Sequence, residues 1–126
     1  MNNNNNNNKK VYSVLAKKKK GEQLDSLIKI DFSHPVFEGH FPQKPVLPGV
    51  MMCDIIKHEV SDLLGLKVQL TSANNIKFSR MIIPSENNTY NVNISIVKDE
   101  IDYHVRANIS QKDQIFFKIN AVYKAK

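Results

Sequence analysis

Cysteine occurs once, at Cys53, so the chain can form neither an internal disulfide nor a multi-cysteine metal site, and it suits a reducing compartment. Long apolar runs are missing too. The longest is Val50 to Cys53, far short of the roughly 20 residues that cross a bilayer, and the N-terminus lacks the apolar centre of a signal peptide. These absences point to a cytoplasmic protein with no membrane span. No internal repeat is present, and 126 residues suffice for a single core but not for two. Asn2 to Asn8 form a polar homopolymer that cannot bury surface, so residues 1–9 read as a disordered Asn-rich tail and residues 10–126 as the one folding domain.

What is present is a soluble composition, 41% hydrophobic and 24% charged, with a formal net charge of +6 that favours acidic partners over basic ones. Nucleic acid is not the expected partner, because no aromatic stacking pattern or arginine-rich helix accompanies the Lys17–Lys20 run. That run reads either as a solvated turn before Gly21 or as a surface for an acidic carrier protein.

Val11 to Ala16 and Leu24 to Phe32 are β-prone stretches around Gly21, which predicts an opening hairpin. Four of the five prolines (Pro35, Pro42, Pro45, Pro48) then fall within fifteen residues, a stretch that excludes both helix and central strand. From Gly49 to Leu64 the apolar spacing is helical, with Pro48 near the start and Gly65 as a stop. The first two turns are apolar on nearly every side, so the helix is expected inside the molecule. Downstream, Leu66–Phe78 is extended. Tyr90–Ile96, Ile101–Ile109 and Ile115–Tyr123 each alternate apolar with polar residues, joined by turns at 97–100 and 111–113. Two strands, a buried helix and four strands with one-sided alternation describe an α+β architecture: an antiparallel six-stranded sheet wrapped around one long central helix.

The chemistry concentrates in the loop from Gly39 to Gly49. Prolines hold it rigid around His40, and Gly49 opens the helix with a backbone N–H that has no intrahelical acceptor and can polarise a carbonyl oxygen. Asp54 follows His40 by fourteen positions and is the only acid in the first two helical turns. An imidazole titrating near neutrality and a carboxyl in apolar surroundings can divide base and acid work. The same spacing also fits a plain polar stripe, since Asp54, Lys57, His58 and Ser61 share a helix face, and His40 alone fits a loop histidine bonded to backbone. His34, His58 and His104 have weaker claims, no histidine pair has the spacing of a metal motif, and no cofactor or metal is expected.

Gly39-His40-Phe41-Pro42, then Pro45-Val46-Leu47-Pro48-Gly49-Val50, then Asp54, resembles the signature of the 3-hydroxyacyl-[acyl-carrier-protein] dehydratases of the FabA/FabZ type, which are hotdog-fold proteins. Ile76-Lys77-Phe78-Ser79-Arg80 to Pro84 resembles their third strand, so the likeness spans roughly residues 28–86. It implies that His40 is the catalytic histidine, Asp54 the helix acid (Asp as in the FabA kind, where the FabZ kind has Glu) and Gly49 the thioester-binding amide. Gln43, His58 and Ser85 depart from the family pattern.

The implied reaction is dehydration of a 3-hydroxyacyl thioester on acyl carrier protein to the trans-2-enoyl thioester. It would serve fatty acid biosynthesis or, given the short lead into the first strand, a specialised polyene or polyketide-like pathway. The resemblance further implies a homodimer in which His40 of one subunit meets Asp54 of the other. Phe41, Pro48, Val50, Met51 and Phe78 are candidate substrate-binding residues, with Met52 and Cys53 as further tunnel walls; core packing is the competing role for the helix residues and Phe78. Two other readings stay open: a hotdog thioesterase, and a noncatalytic acyl-binding or scaffold subunit.

Overall fold

A computed structural model describes residues 10–37 and 45–126. These residues form strands β1 (Tyr12–Lys20) and β2 (Gln23–Ile30), a 3-10 turn at Pro35–Phe37, helix α1 (Gly49–Leu64), and strands β3 (Val68–Phe78), β4 (Thr89–Asp99), β5 (Asp102–Gln111) and β6 (Gln114–Ala125). The six strands make one sheet in the order β1-β2-β4-β5-β6-β3, every neighbouring pair antiparallel.

Alternation drives this arrangement. Val92, Ile94 and Ile96 of β4, Val105 and Ile109 of β5, and Phe117, Ile119 and Tyr123 of β6 turn to one side of the sheet and are buried. Against them pack Met52, Ile55, Ile56, Val60 and Leu63 of α1. Each such aliphatic side chain taken out of water stabilises the fold by about 1.5–3 kcal/mol. The meander closes through tight turns. Lys112 (φ 48°) and Asp113 (φ 64°) both take the left-handed conformation required by a two-residue turn whose twist matches the strands.

The helix bounds are those its sequence predicts. Gly65 takes φ 72°, and the Leu66 N–H reaches back to the Ser61 carbonyl at 3.2 Å, closing the last turn. α1 is the central helix the sequence leads one to expect; within one chain its buried residues form a single stripe, and Val50 in its first turn is 71% exposed.

Three further readings change. Lys17–Lys20 are not a turn but the last residues of β1, paired with Ser26, Asp25, Leu24 and Gln23 of β2. The β4–β5 turn is Glu100 (φ 58°) and Ile101 rather than 97–100; Val97 stays paired with His104 in β4, and both Val97 and Ile101 are exposed. In β6 a register shift opposite Ile109/Ser110 buries Phe116 beside Phe117 and leaves Ile115 exposed, which breaks the strict alternation expected from the sequence.

Candidate active site

At the N-terminus of α1 the chain arrives through Pro48, which sits in an extended conformation (φ −60°, ψ 147°). Among the described residues no side chain caps this end. The Met51 N–H bonds the Pro48 carbonyl at 3.0 Å, while the Gly49 N–H, one residue into the helix, has no carbonyl four residues back to meet. An amide so placed, at the positive end of the helix dipole, favours negative charge in front of it.

The last residue of β3, Phe78, packs against Gly49. A Cβ built on Gly49 would fall 2.8 Å from both Cε1 and Cζ of Phe78, so any side chain here would displace the ring or the helix start. The Phe78 ring is 52% exposed and rests on Phe117, with centroids 5.1 Å apart. Beside it opens a mainly apolar cleft of about 480 Å³ lined by Gly49, Val46, Leu47, Met52, Phe78 and Met81, with Arg80 at its margin. A space of that size and character suits an acyl chain.

The structure therefore brings together two of the residues expected at the site, Gly49 and Phe78. Met52 lines the cleft, whereas Met51 is half-buried and Val50 is exposed, so within one chain Val50 neither packs in the core nor lines this cleft. Pro48 positions the helix start. His40 and Phe41 lie outside the described residues.

Asp54 is exposed, on the same helix stripe as Val50 and His58, and it does not line its own chain's cleft among the described residues. Its neighbour Cys53 is half-buried, and burial, with the Asp54 charge second, pushes the thiol above its ordinary value. The other histidines take minor places. His34 accepts the Val36 N–H at 3.0 Å in the 3-10 turn, His58 is exposed on α1, and His104 lies 3.9 Å from Asp99 on the outer sheet face.

Sequence reasoning missed Glu59. It stands in the apolar stripe of α1, 2% exposed, and accepts hydrogen bonds from the Tyr12 hydroxyl at 2.6 Å and the Ser26 hydroxyl at 3.1 Å. The Lys17 ammonium approaches to 3.5 Å and also bonds Asp62. Two signals were available. Glu59 is spaced four and three residues from Ile55 and Ile56, and Ser26 occupies an inward position between Leu24 and Ile28. Burial, then the bond to Glu59, drives the Tyr12 phenol well above the usual tyrosine range. For Lys17, burial works against the charge, but its bonds to Asp62 and Glu59 outweigh it and raise the ammonium. The same Lys17 bond holds Asp62 below the carboxylate range.

Among the described residues no group of three or more His, Cys, Asp or Glu could hold a metal, and no helix is long and apolar enough to cross a membrane.

The model of the ApeI-like family, described as ApeI dehydratase, matches residues 16–118. The 3-hydroxyacyl-[acyl-carrier-protein] dehydratase FabZ of Idiomarina loihiensis is 32% identical over 76 residues, covering 52% of this chain and 50% of that protein. The FabZ of Solibacter usitatus is 26% identical over 102 residues, covering 75% of this chain and 62% of that protein. The chain thus spans about half to three fifths of the length of these relatives. Among solved structures, the dehydratase heterocomplex ApeI:P from Xenorhabdus doucetiae superposes with a TM-score of 0.73 at 22% identity, covering 89% of this chain and 96% of that one. A hypothetical thioesterase with coenzyme A from Streptococcus pneumoniae gives 0.68 at 11% identity, covering 91% and 85%. Identities this low establish the fold alone, and that fold is the hotdog.

Proposed function

The chain belongs to the ApeI-like dehydratase family, within the FabA/FabZ-like group, and on that premise we propose that it removes water from a 3-hydroxyacyl thioester carried on acyl carrier protein, leaving the trans-2-enoyl thioester. The observation that supports the reading is Gly49, the first residue of α1, lining an apolar cleft together with Phe78.

In this reaction the thioester carbonyl oxygen accepts a hydrogen bond from the Gly49 N–H, which acidifies the α-carbon. His40 takes the α-proton, and that electron pair becomes the C2–C3 double bond as the C3–O bond breaks. Asp54 orients the 3-hydroxyl and gives it a proton, so that it departs as water; exchange with solvent then resets both groups. A positioned acid or base contributes about 10² to 10⁴-fold, and an oxyanion-type donor about 2.7–4 kcal/mol.

Asp54 is exposed and is not among the described residues that line its own chain's cleft, which supports a site shared between two copies, and the sheet edges support a homodimer joined at β3. The β1 edge carries Lys17–Lys20 and a register shift at Val14/Ala16, both of which discourage strand addition. The β3 edge instead exposes Leu70, Ile76 and Phe78, continued by Met81 and Ile83. Pairing β3 with its symmetry mate would cover these side chains and bring the partner's helix start close.

Purified protein incubated with carrier-bound 3-hydroxyacyl substrates of graded length tests the proposal, with mass detection of the enoyl product. Loss of one water from the acyl chain, abolished in His40→Ala and Asp54→Asn, is the expected result. Free carrier thiol without enoyl formation would make the protein a thioesterase. Carrier complexes that survive both substitutions, with no turnover by the parent protein, would make it a binding subunit.

A further inference from the structure

The outer face of the sheet, turned away from α1, is polar and basic. Two cross-strand rows run over it: Lys77–Lys118–Asn108–Asn93 and Asn75–Asn120–Arg106–Ser95. They line a furrow of about 450 Å³ that adjoins a second of about 500 Å³, the two sharing Ser95, Arg106 and Asn120. Among the described residues no carboxylate lines either one. The nearest acid in the rows, Asp25 on β2, is engaged by the Asn93 side-chain amide.

Lys77 and Lys118 lie directly opposite each other, a like-charge pairing that costs stability in a sheet. Arg106 stands two strands across and two residues along from Lys77, about 12 Å at ordinary strand spacing and rise. Three cations thus surround a patch of amides, and an acidic surface laid on them would relieve their repulsion. Their position links them to the cleft. Lys77 and Phe78 are consecutive residues of β3: Lys77 lines the outer furrow, and Phe78 turns to the other side and lines the Gly49 cleft. Arg80, two residues on, lies at the cleft margin. The alternative basic feature, Lys17–Lys20, is on the opposite edge of the sheet, and part of it is spent on the chain's own groups: Lys17 holds Glu59 and Asp62, and Lys19 reaches the Leu63 carbonyl at 3.4 Å.

Resting on the function proposed above, we infer that Lys77, Lys118 and Arg106, with the amides of Asn75, Asn108 and Asn120, form the docking surface for the acidic carrier protein, whose thioester arm then bends past Phe78 into the cleft. Edge-to-edge pairing at β3 leaves this face open, so docking and the shared active site are compatible.

Arg106→Glu with Lys118→Glu tests this against a small-molecule thioester bearing the same 3-hydroxyacyl group. With carrier-bound substrate, kcat/KM falls about tenfold or more, carried by KM, while the small thioester is turned over as before. Lys18→Glu with Lys20→Glu, the same change in net charge at the far edge, leaves both rates unchanged. Equal losses on both substrates, no loss on either, or an equal effect from the far-edge pair would each overturn the inference. Should the reversed pair not fold, Lys77→Gln, Arg106→Gln and Lys118→Gln together give the same contrast. If the parent protein turns over neither substrate, the dehydratase reading fails, while docking is read separately from the anisotropy of a fluorescently labelled acidic carrier. A Kd that weakens about tenfold in the variant supports the surface, and an unchanged Kd refutes it.

Discussion

At the scale of single residues, Gly49 and Phe78 act as one unit, because the space a side chain would need at position 49 is filled by the ring. Gly49→Ala is expected to push the ring or the helix start aside and to lower kcat/KM about 10²-fold, as a displacement of about 1 Å at a reacting centre does. Phe78→Ala in the same chain should recover part of that loss. Strictly additive losses in a double-mutant cycle would show that the two do not communicate. Asp54 offers a cleaner separation. Its exposed carboxylate should be dispensable for folding, with Asp54→Asn changing stability by no more than about 0.5 kcal/mol while turnover falls about 10² to 10⁴-fold. Unchanged turnover would reduce Asp54 to a member of the polar stripe. Glu59 should behave in the opposite way. Glu59→Gln is expected to cost about 1–3 kcal/mol in denaturant unfolding, because two buried hydroxyls and Lys17 lose a charged acceptor, with little effect on the activity of the folded fraction. Gly49 was legible in the sequence because a glycine directly after Pro48, at the head of a helical apolar pattern, marks a first turn whose amide lacks an intrahelical acceptor. Glu59 was not, because its partners lie 33 and 47 positions away and meet it only once the sheet has closed over α1.

At the scale of elements, the two sheet edges differ in kind. β1 ends in four lysines, whereas β3 shows apolar side chains on an open ladder. Ile76→Lys is therefore expected to shift the sedimentation of the protein toward monomer and to depress turnover with it, whereas Val14→Lys on β1 should do neither. A monomeric parent protein would remove the basis of the shared site. The element bounds were legible wherever one force dominated. α1 was read residue for residue, since Pro48 and Gly65 punctuate it chemically. Strand β1 runs past the β-prone Val11–Ala16 stretch, because a lysine run has the composition of solvent-exposed coil and only hydrogen bonding to β2 makes it a strand. The Phe116 bulge could not be read from alternation, because only the pairing with β5, Ile109 with Phe117 and Ser110 with Ile115, leaves Phe116 as the extra residue that is buried beside Phe117.

For the molecule as a whole, the titrating groups along the β1–α1 seam set the pH range in which the fold is firm. An unfolded tyrosine ionises near pH 10, whereas Tyr12 in the fold keeps its proton beyond that; burial is the main cause and Glu59 the second. The corresponding stability is complete below about pH 10 and is lost as pH rises above it. Lys17, also raised, acts in the same direction, and so does Tyr123, which burial pushes up to about 12. Thermal midpoints should therefore fall steadily above about pH 10, and Tyr12→Phe should make that fall shallower without abolishing it. An identical slope in the variant would mean that Tyr12 is not insulated as the structure indicates. On the acid side, Asp62 contributes stability above the ordinary carboxylate range that disappears as pH drops through its lowered value.

The lone thiol gives this assembly a built-in reporter. Cys53 sits half-buried beside Asp54, with no second sulfhydryl anywhere in the chain to confuse a signal. Its alkylation rate at fixed pH therefore measures how openly the first turns of the helix meet solvent. If two copies close over that helix, maleimide labelling should slow as protein concentration rises, giving a stopwatch for subunit association that needs neither substrate nor engineered probe.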